Sequence, residues 1–196
     1  MSMVTLVSGG LDSTVMALLA KEEGIEQFPL FIDYGQINRD KELGACQANF
    51  RRYDLPAPTV MKLDGYGALL SSGLTDRGKR IYEDAFLPCR NLTFLTMGAA
   101  YAYQRGSDTV GIGLLNDAYS LFGDQTRDFI KEAEALISRS LRQPIRISTP
   151  LMSFSKAEVV SIAKAQGISG TYSCHAGTEV PCGACIACRE YIGLEV

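Results

Sequence analysis

Ser8-Gly9-Gly10-Leu11-Asp12-Ser13-Thr14 stands between an apolar run and an amphipathic one. A glycine pair at such a junction lets the backbone approach a ligand closely, because no Cβ stands in the way. A helix opening on Asp12, Ser13 and Thr14 turns its free amides and the positive end of its dipole towards that loop. The chemistry this suits is anion binding, and phosphate is the usual anion. The same residues also suit a plain strand-to-helix turn with a serine or aspartate cap. Two common phosphate loops are excluded: no lysine follows the glycines before Lys21, as the Walker pattern requires, and the dinucleotide spacing of three glycines is missing.

A second group lies at the far end of the chain. Cys182, Cys185 and Cys188 are spaced so that a tight turn aims three thiols at one point, and Cys174 supplies a fourth from upstream. Four thiolates match the closed tetrahedral site of structural zinc, with Zn–S bonds of about 2.3 Å. An iron–sulfur cluster is the competing assignment; zinc is favoured because nothing else here calls for electron transfer. Such a site contributes folding energy, so the tail is expected to be disordered without metal. His175 is the one histidine. Its adjacency to Cys174 strains joint ligation, and it reads as a partly exposed loop residue. With so little histidine, and no serine in a nucleophile-elbow pattern, the chemistry is not that of a serine–histidine hydrolase.

The elements that must position these groups alternate. Val4 to Val7 reads as a strand, and Val15, Met16, Leu18 and Leu19 as the inner side of a helix. Further strands are expected at 28–32, 60–63, 109–113 and 145–148. Helices are expected over 38–53, 92–103, where the run is so apolar that it reads as buried, 126–141 and 155–166. Ser155 to Glu158 has the spacing of a capping box. Residues 64–80, rich in glycine and serine, read as a mobile loop. Strands alternating with helices predict an α/β fold, a doubly wound parallel five-stranded sheet over residues 1–170, with a small zinc-binding appendage over 171–196. Ligands of such sheets sit beyond the carboxyl ends of the strands. That places the first loop, Asp33-Tyr34-Gly35-Gln36, Pro88 to Asn91 and Gly113 to Gln125 around one crevice.

The chain has 196 residues, 46% hydrophobic and 21% charged, as in ordinary globular proteins. A net charge of −3 argues against a surface made to grip nucleic acid. No apolar run is long enough to span a bilayer and no charged lead-in precedes an apolar core, so a cytoplasmic protein is expected. Six cysteines in that compartment are not a disulfide framework.

SGGLDS resembles the pyrophosphate loop of the PP-loop ATPases (a HUP-like fold), which split ATP between its α and β phosphates and transfer AMP to an oxygen. The resemblance implies that Ser8, Gly9, Gly10, Asp12, Ser13 and Thr14 hold the pyrophosphate end, with Asp12 helping to organise Mg2+. Four further segments narrow it: DYGQINRDKE at 33–42, PCRNLTFL at 88–95, TPLMSFSKAE at 149–158 and SCHAGTEVPCGACIAC at 173–188. Together they resemble the QueC branch, the 7-cyano-7-deazaguanine synthases, over nearly the whole chain. The resemblance implies adenylation of 7-carboxy-7-deazaguanine, attack by ammonia to give the amide, and a second ATP-driven dehydration to the nitrile. It implies ATP contacts from Arg90, Asn91, Gly113 and Lys156, and a catalytic set of Asp12, Asp33 and Lys156. Substrate contacts fall to Asp33, Tyr34, Gln36, Tyr119 and Asp124, and Zn2+ to Cys174, Cys182, Cys185 and Cys188.

The chain departs from the branch where the acceptor would be read. Asn38 stands in place of a histidine, Tyr191 in place of an arginine, and 118–126 keeps only Tyr119, Ser120 and Asp124 of a D-F/Y-S-G-Y-P-D-C-R segment. ATP activation is therefore expected to be retained, while three alternatives to nitrile formation stay open. They are a defence-type enzyme that stops at the amide or conjugates a protein amine, a tRNA-base modifier, and a non-catalytic zinc-stabilised binding module. A homodimer paired across a sheet edge is expected, without membrane or direct nucleic-acid contacts.

Overall fold

The computed structural model describes residues 1–194. Strands β1 (Ser2–Val7), β2 (Glu26–Asp33), β3 (Thr59–Lys62), β4 (Thr109–Gly111) and β5 (Arg146–Ser148) form one parallel sheet in the order β3-β2-β1-β4-β5. Helices are α1 (Leu11–Glu22), α2 (Arg39–Arg52), α3 (Asp64–Leu69), α4 (Arg90–Arg105), α5 (Arg127–Leu141), α6 (Lys156–Ala165) and α7 (Ile186–Arg189).

The sheet is covered on both faces, so its central strand is apolar on both sides. Val4 and Leu6 of β1 join Leu30, Ile32 and Val110 against Leu95, Ala99 and Ala102 of α4 and Ile130, Ala133 and Ile137 of α5. On the other face Val7 and Phe31 meet Ala17 of α1 and Cys46 and Phe50 of α2. Val15 and Met16 of α1 meet Val159, Val160 and Ala163 of α6. The crossovers leave β1 and β4 in opposite directions, which opens a crevice at the carboxyl ends of these neighbours. The PP-loop follows β1. Gly113 lies directly against it, since a Cβ there would sit 3.2 Å from Asp12 C and Ser13 N.

Several expectations need correcting. Residues 64–80 contain α3, and the chain beyond it is packed: Ser72 and Leu74 are buried, Ile37 N donates to Leu74 O at 2.9 Å, and Gly73 N to Asp84 O at 2.7 Å. Helix α4 is amphipathic and not buried all round: Asn91, Leu95, Gly98, Ala99 and Ala102 face inward while Thr96 and Tyr103 face water. Gly98 lets it settle close to the sheet, because a Cβ there would lie 2.9 Å from Val110 Cγ1. Strand β4 ends at Gly111, before the chain turns over the PP-loop, and 114–125 holds two short 3-10 turns, Asp117–Tyr119 and Gly123–Gln125. The Ser155–Glu158 capping box is present.

The cysteine-bearing tail runs back over the crevice. Tyr172 N donates to Gly9 O at 2.9 Å, and Asn38 Nδ2 donates to Cys174 O at 3.1 Å. The last two residues of 171–196 lie outside the described residues. Among those described, no helix is long and apolar enough to cross a membrane.

Candidate active site

At the PP-loop, Gly10 is the N-cap of α1 and makes no side-chain cap. The nearby hydroxyls brace the loop instead. Ser8 Oγ accepts from Gly10 N at 3.3 Å, and Ser13 Oγ accepts from Ser8 N and donates to Gly10 O, both at 3.2 Å. Thr14 Oγ1 donates to Gly10 O at 2.8 Å. No side chain therefore competes for the leading amides of α1, which keeps them for an anion. Ser8, Gly10, Asp12 and Ser13 line a cavity of about 270 Å³, while Gly9 and Thr14 lie behind that wall. Gly9 has φ +80°, and a Cβ on it would run into the Glu42 carbonyl with Cys46 N 2.8 Å away, so α2 presses directly on the loop.

Lys156, first residue of α6, crosses the mouth of this loop. Its Nζ lies 2.9 Å from Asp12 Oδ1, 2.8 Å from Asp12 Oδ2 and 2.9 Å from Glu190 Oε2, and 4.8 Å from the centre of the Tyr191 ring. Burial opposes the ammonium, but Asp12, Glu190 and Tyr191 outweigh it and raise its pKa. The lysine is cationic throughout the physiological range and faces the place where the amides invite phosphate.

The same cavity is a chamber walled also by Tyr34, Gln36, Glu42, Arg90, Asn91, Phe94 and His175. Gln36 is buried: its Oε1 accepts from Tyr34 N at 2.9 Å and its Nε2 donates to Glu42 Oε2 at 3.2 Å. Asn38 Nδ2 donates to Glu42 Oε1 at 2.9 Å. Burial pushes the Glu42 carboxyl up to about 7, against the pull of those two amides and of Arg90. Burial likewise pushes the Tyr34 phenol up to about 12. His175 is brought down to about 4 by burial and by the Arg90 charge, so it is neutral, and its Nδ1 is covered with no hydrogen-bond partner among the described residues. Asp33 is paired with Arg39 Nε at 3.0 Å and does not line the cavity.

Arg90 and Asn91 do not cap α4. Asp124 does so for them, its Oδ2 accepting from Asn91 N at 3.2 Å and its carbonyl from Asn91 Nδ2 at 3.0 Å. Asp124 thus holds Asn91 and lines neither cavity, whereas Tyr119, 69% exposed, lines an adjoining cavity of about 450 Å³ that shares Asp12, Gly113, Phe122, Lys156 and Glu190 with the first.

The four tail thiols converge, with every pair of Sγ atoms within 4.8 Å and Cys182 to Cys188 at 4.0 Å. A tetrahedral ion with bonds of about 2.3 Å needs sulfurs roughly 3.8 Å apart. Backbone amides already point at them: Cys182 N at Cys174 Sγ, 3.3 Å, and Cys185 N at Cys182 Sγ and Cys188 N at Cys185 Sγ, both 3.4 Å. Such donors favour thiolate, the form a metal takes. The donor set fits a metal ion.

Sequence reasoning missed Glu42, Glu190 and the inward face of His175. Glu42 carried a signal: it precedes Cys46 and Phe50 by steps of four, so an acid continues the buried stripe of α2. Nothing in the spacing marks Glu190, which stands at the end of α7 and reaches the site through its contact with Lys156 Nζ at 2.9 Å.

The model of the family described as Queuosine biosynthesis protein QueC matches residues 2–191. A 7-cyano-7-deazaguanine synthase of a Nitratiruptor species is 31% identical over 201 residues, covering 96% of this chain and 91% of the relative. That of Acetivibrio thermocellus is 32% identical over 200 residues, covering 94% and 88%. Among solved structures, the U34-tRNA thiolase NcsA from Methanococcus maripaludis, described with its 4Fe-4S cluster, aligns with a TM-score of 0.61 at 19% identity over 90% of this chain and 61% of that one. NMN synthetase from Francisella tularensis gives 0.54 at 15% identity, over 90% and 67%. Both likenesses are of fold alone.

Proposed function

The chain belongs to the QueC family, and we propose that it uses ATP to adenylate the carboxylate of 7-carboxy-7-deazaguanine and delivers ammonia to the activated carbon. The observation that carries the proposal is the lysine-bridged PP-loop: uncapped amides of α1, with Lys156 held across them by Asp12 and Glu190. A carboxylate does not accept an amine at neutral pH until its oxygen is made a better leaving group. In the first step a carboxylate oxygen attacks the α-phosphorus and the bond to pyrophosphate breaks, the electron pair leaving with pyrophosphate. The α1 amides and Lys156 stabilise the charge that gathers there. Asp12 would help to hold Mg2+, which would supply further neutralisation of the phosphates.

In the second step nitrogen adds to the acyl carbon and AMP leaves, giving the amide. A second ATP activates the amide oxygen in the same way, and loss of AMP and the remaining N–H protons gives 7-cyano-7-deazaguanine. Arg90, which lines the cavity with Asn91, is the cation that would receive the acid's carboxylate. Zn2+ in the Cys174, Cys182, Cys185 and Cys188 site serves structure, locking the tail that carries His175 and Glu190.

The test is to incubate the purified protein with Mg2+, ATP, ammonium and the acid and to weigh the products. AMP, pyrophosphate and the nitrile are expected; absence of acid-dependent AMP and pyrophosphate overturns the proposal. One observation favours a second outcome for the acyl group. Tyr119 and Leu121, 69% and 56% exposed, rim the adjoining cavity, and such a rim suits an acceptor larger than ammonia. A mass increase on a protein amine, in place of the nitrile, identifies it.

A further inference from the structure

We infer that Glu42 is the proton acceptor for the nitrogen that attacks the activated carboxyl group, a role that rests on the adenylating function proposed above. Among the described residues three carboxyl groups line the cavity: Asp12, Glu42 and Glu190. Asp12 and Glu190 are both engaged with Lys156. Glu42 makes no ion pair among the described residues and accepts only from the neutral amides of Gln36 and Asn38, one on each oxygen.

A carboxylate has about four acceptor positions on its two oxygens. The two amides fix the plane of the Glu42 carboxyl and leave the rest of its acceptor capacity to the cavity. A half-buried acid whose hydrogen-bond partners are neutral amides is a poor device for stability, because ionising it with little access to water is unfavourable. The same features suit a base that must hold and release a proton near neutral pH.

Two further observations place a ligand beside it. Glu42 lines the same cavity as Ser8, Gly10, Asp12 and Ser13 of the loop where pyrophosphate would leave, and so faces the space in which the new acyl phosphate would form. His175 Nδ1, in the same chamber, is covered and unpartnered. Buried polar atoms are nearly always satisfied, so this one marks a position for a polar ligand atom.

The step balances without an added reagent. The nitrogen lone pair forms the C–N bond, the C–O bond to AMP breaks with its electron pair going to AMP, and one N–H proton passes to a Glu42 oxygen and then to solvent. Among the other ionisable groups lining the chamber, the Arg90 guanidinium has donors only, Lys156 is held as the ammonium by Asp12 and Glu190, and burial raises the Tyr34 phenol.

Glu42→Gln separates the two half-reactions. Acid-dependent exchange of pyrophosphate into ATP is expected to persist, while ammonia-dependent amide formation falls by about 100-fold, the lower range for general base catalysis. Hydroxylamine, which attacks acyl phosphates without a base, is expected to restore turnover as the hydroxamate. If ammonia-dependent turnover is unchanged, or if hydroxylamine fails to restore it while exchange persists, the inference is overturned. Should Glu42→Gln lose exchange because Gln36 or Asn38 is displaced, Glu42→Asp decides, since it keeps the charge on a shorter arm. Exchange retained with slowed amide formation supports the inference, and both falling together means that Glu42 only braces the loop. Absence of exchange in the unaltered protein instead overturns the adenylating function itself.

Discussion

Lys156 Nζ lies 2.9 and 2.8 Å from the two carboxylate oxygens of Asp12, a residue 144 positions earlier in the chain. The pair ties the first turn of α1 to the first turn of α6, and the same ammonium reaches Glu190 in the tail. One cation thus joins the PP-loop, the second half of the sheet and the cysteine segment.

Lys156→Met should remove charge stabilisation from the departing pyrophosphate and leave Asp12 and Glu190 facing each other. Pyrophosphate exchange is expected to fall by about 10²–10³-fold, the usual scale for removing one electrostatic stabiliser. Thermal stabilisation by Mg–ATP, read by scanning fluorimetry, should disappear with it.

The two PP-loop glycines should respond differently to alanine. Gly9 has φ +80° and no room on the Glu42 side, so Gly9→Ala should lower unfolding free energy by about 2 kcal/mol or more, the left-handed backbone alone accounting for roughly 1–2. Gly10 has φ −76°, and its Cβ would meet Ser8 Oγ at 3.3 Å, Ser173 Oγ at 3.4 Å and Tyr172 O at 3.7 Å. Gly10→Ala should fold with little loss in urea titration and weaken ATP binding, because the methyl group enters the anion site.

The raised carboxyl of Glu42 gives stability a pH slope of known sign. Its ordinary value is 4.5 and burial lifts it to about 7 in the folded protein. The folded state therefore holds the proton more tightly, and the contribution is complete below about 4.5 and lost as pH rises through about 7. Between pH 5 and 8 the protein should lose up to about 3 kcal/mol relative to Glu42→Gln, and urea midpoints for both at the two pH values check it.

Removal of a metal held by the four tail thiols should reach the active site. The segment that carries the four thiols also supplies Ser173, His175, Ile186 and Glu190 to the cavity wall. Chelation is expected to unfold the tail, free Lys156 on one side and abolish Mg–ATP stabilisation, with elemental analysis showing about one zinc per chain. A broad visible absorption with iron in place of zinc would assign an iron–sulfur cluster.

The strand–helix alternation was readable because each element carries its own period: Val4, Leu6 and Val7 of β1, Val15 and Met16 of α1, and the Ser155–Glu158 box that opens α6. The PP-loop and the thiol cluster were readable because each is local. What escaped depends on distant contacts. Glu42 becomes part of the chamber only through Gln36, Asn38 and the approach of α2 to Gly9, and Glu190 only through the fold of the tail. The glycine-rich stretch 64–80 looked loose because its anchors, Asp84 and the backbone at Ile37, lie outside it.

The most direct measurement of the central claim follows oxygen. With 7-carboxy-7-deazaguanine labelled with heavy oxygen in its carboxylate, attack of that carboxylate on the α-phosphorus predicts one labelled oxygen in the AMP released. Unlabelled AMP, or label appearing in phosphate released with ADP, would contradict adenylation at this site.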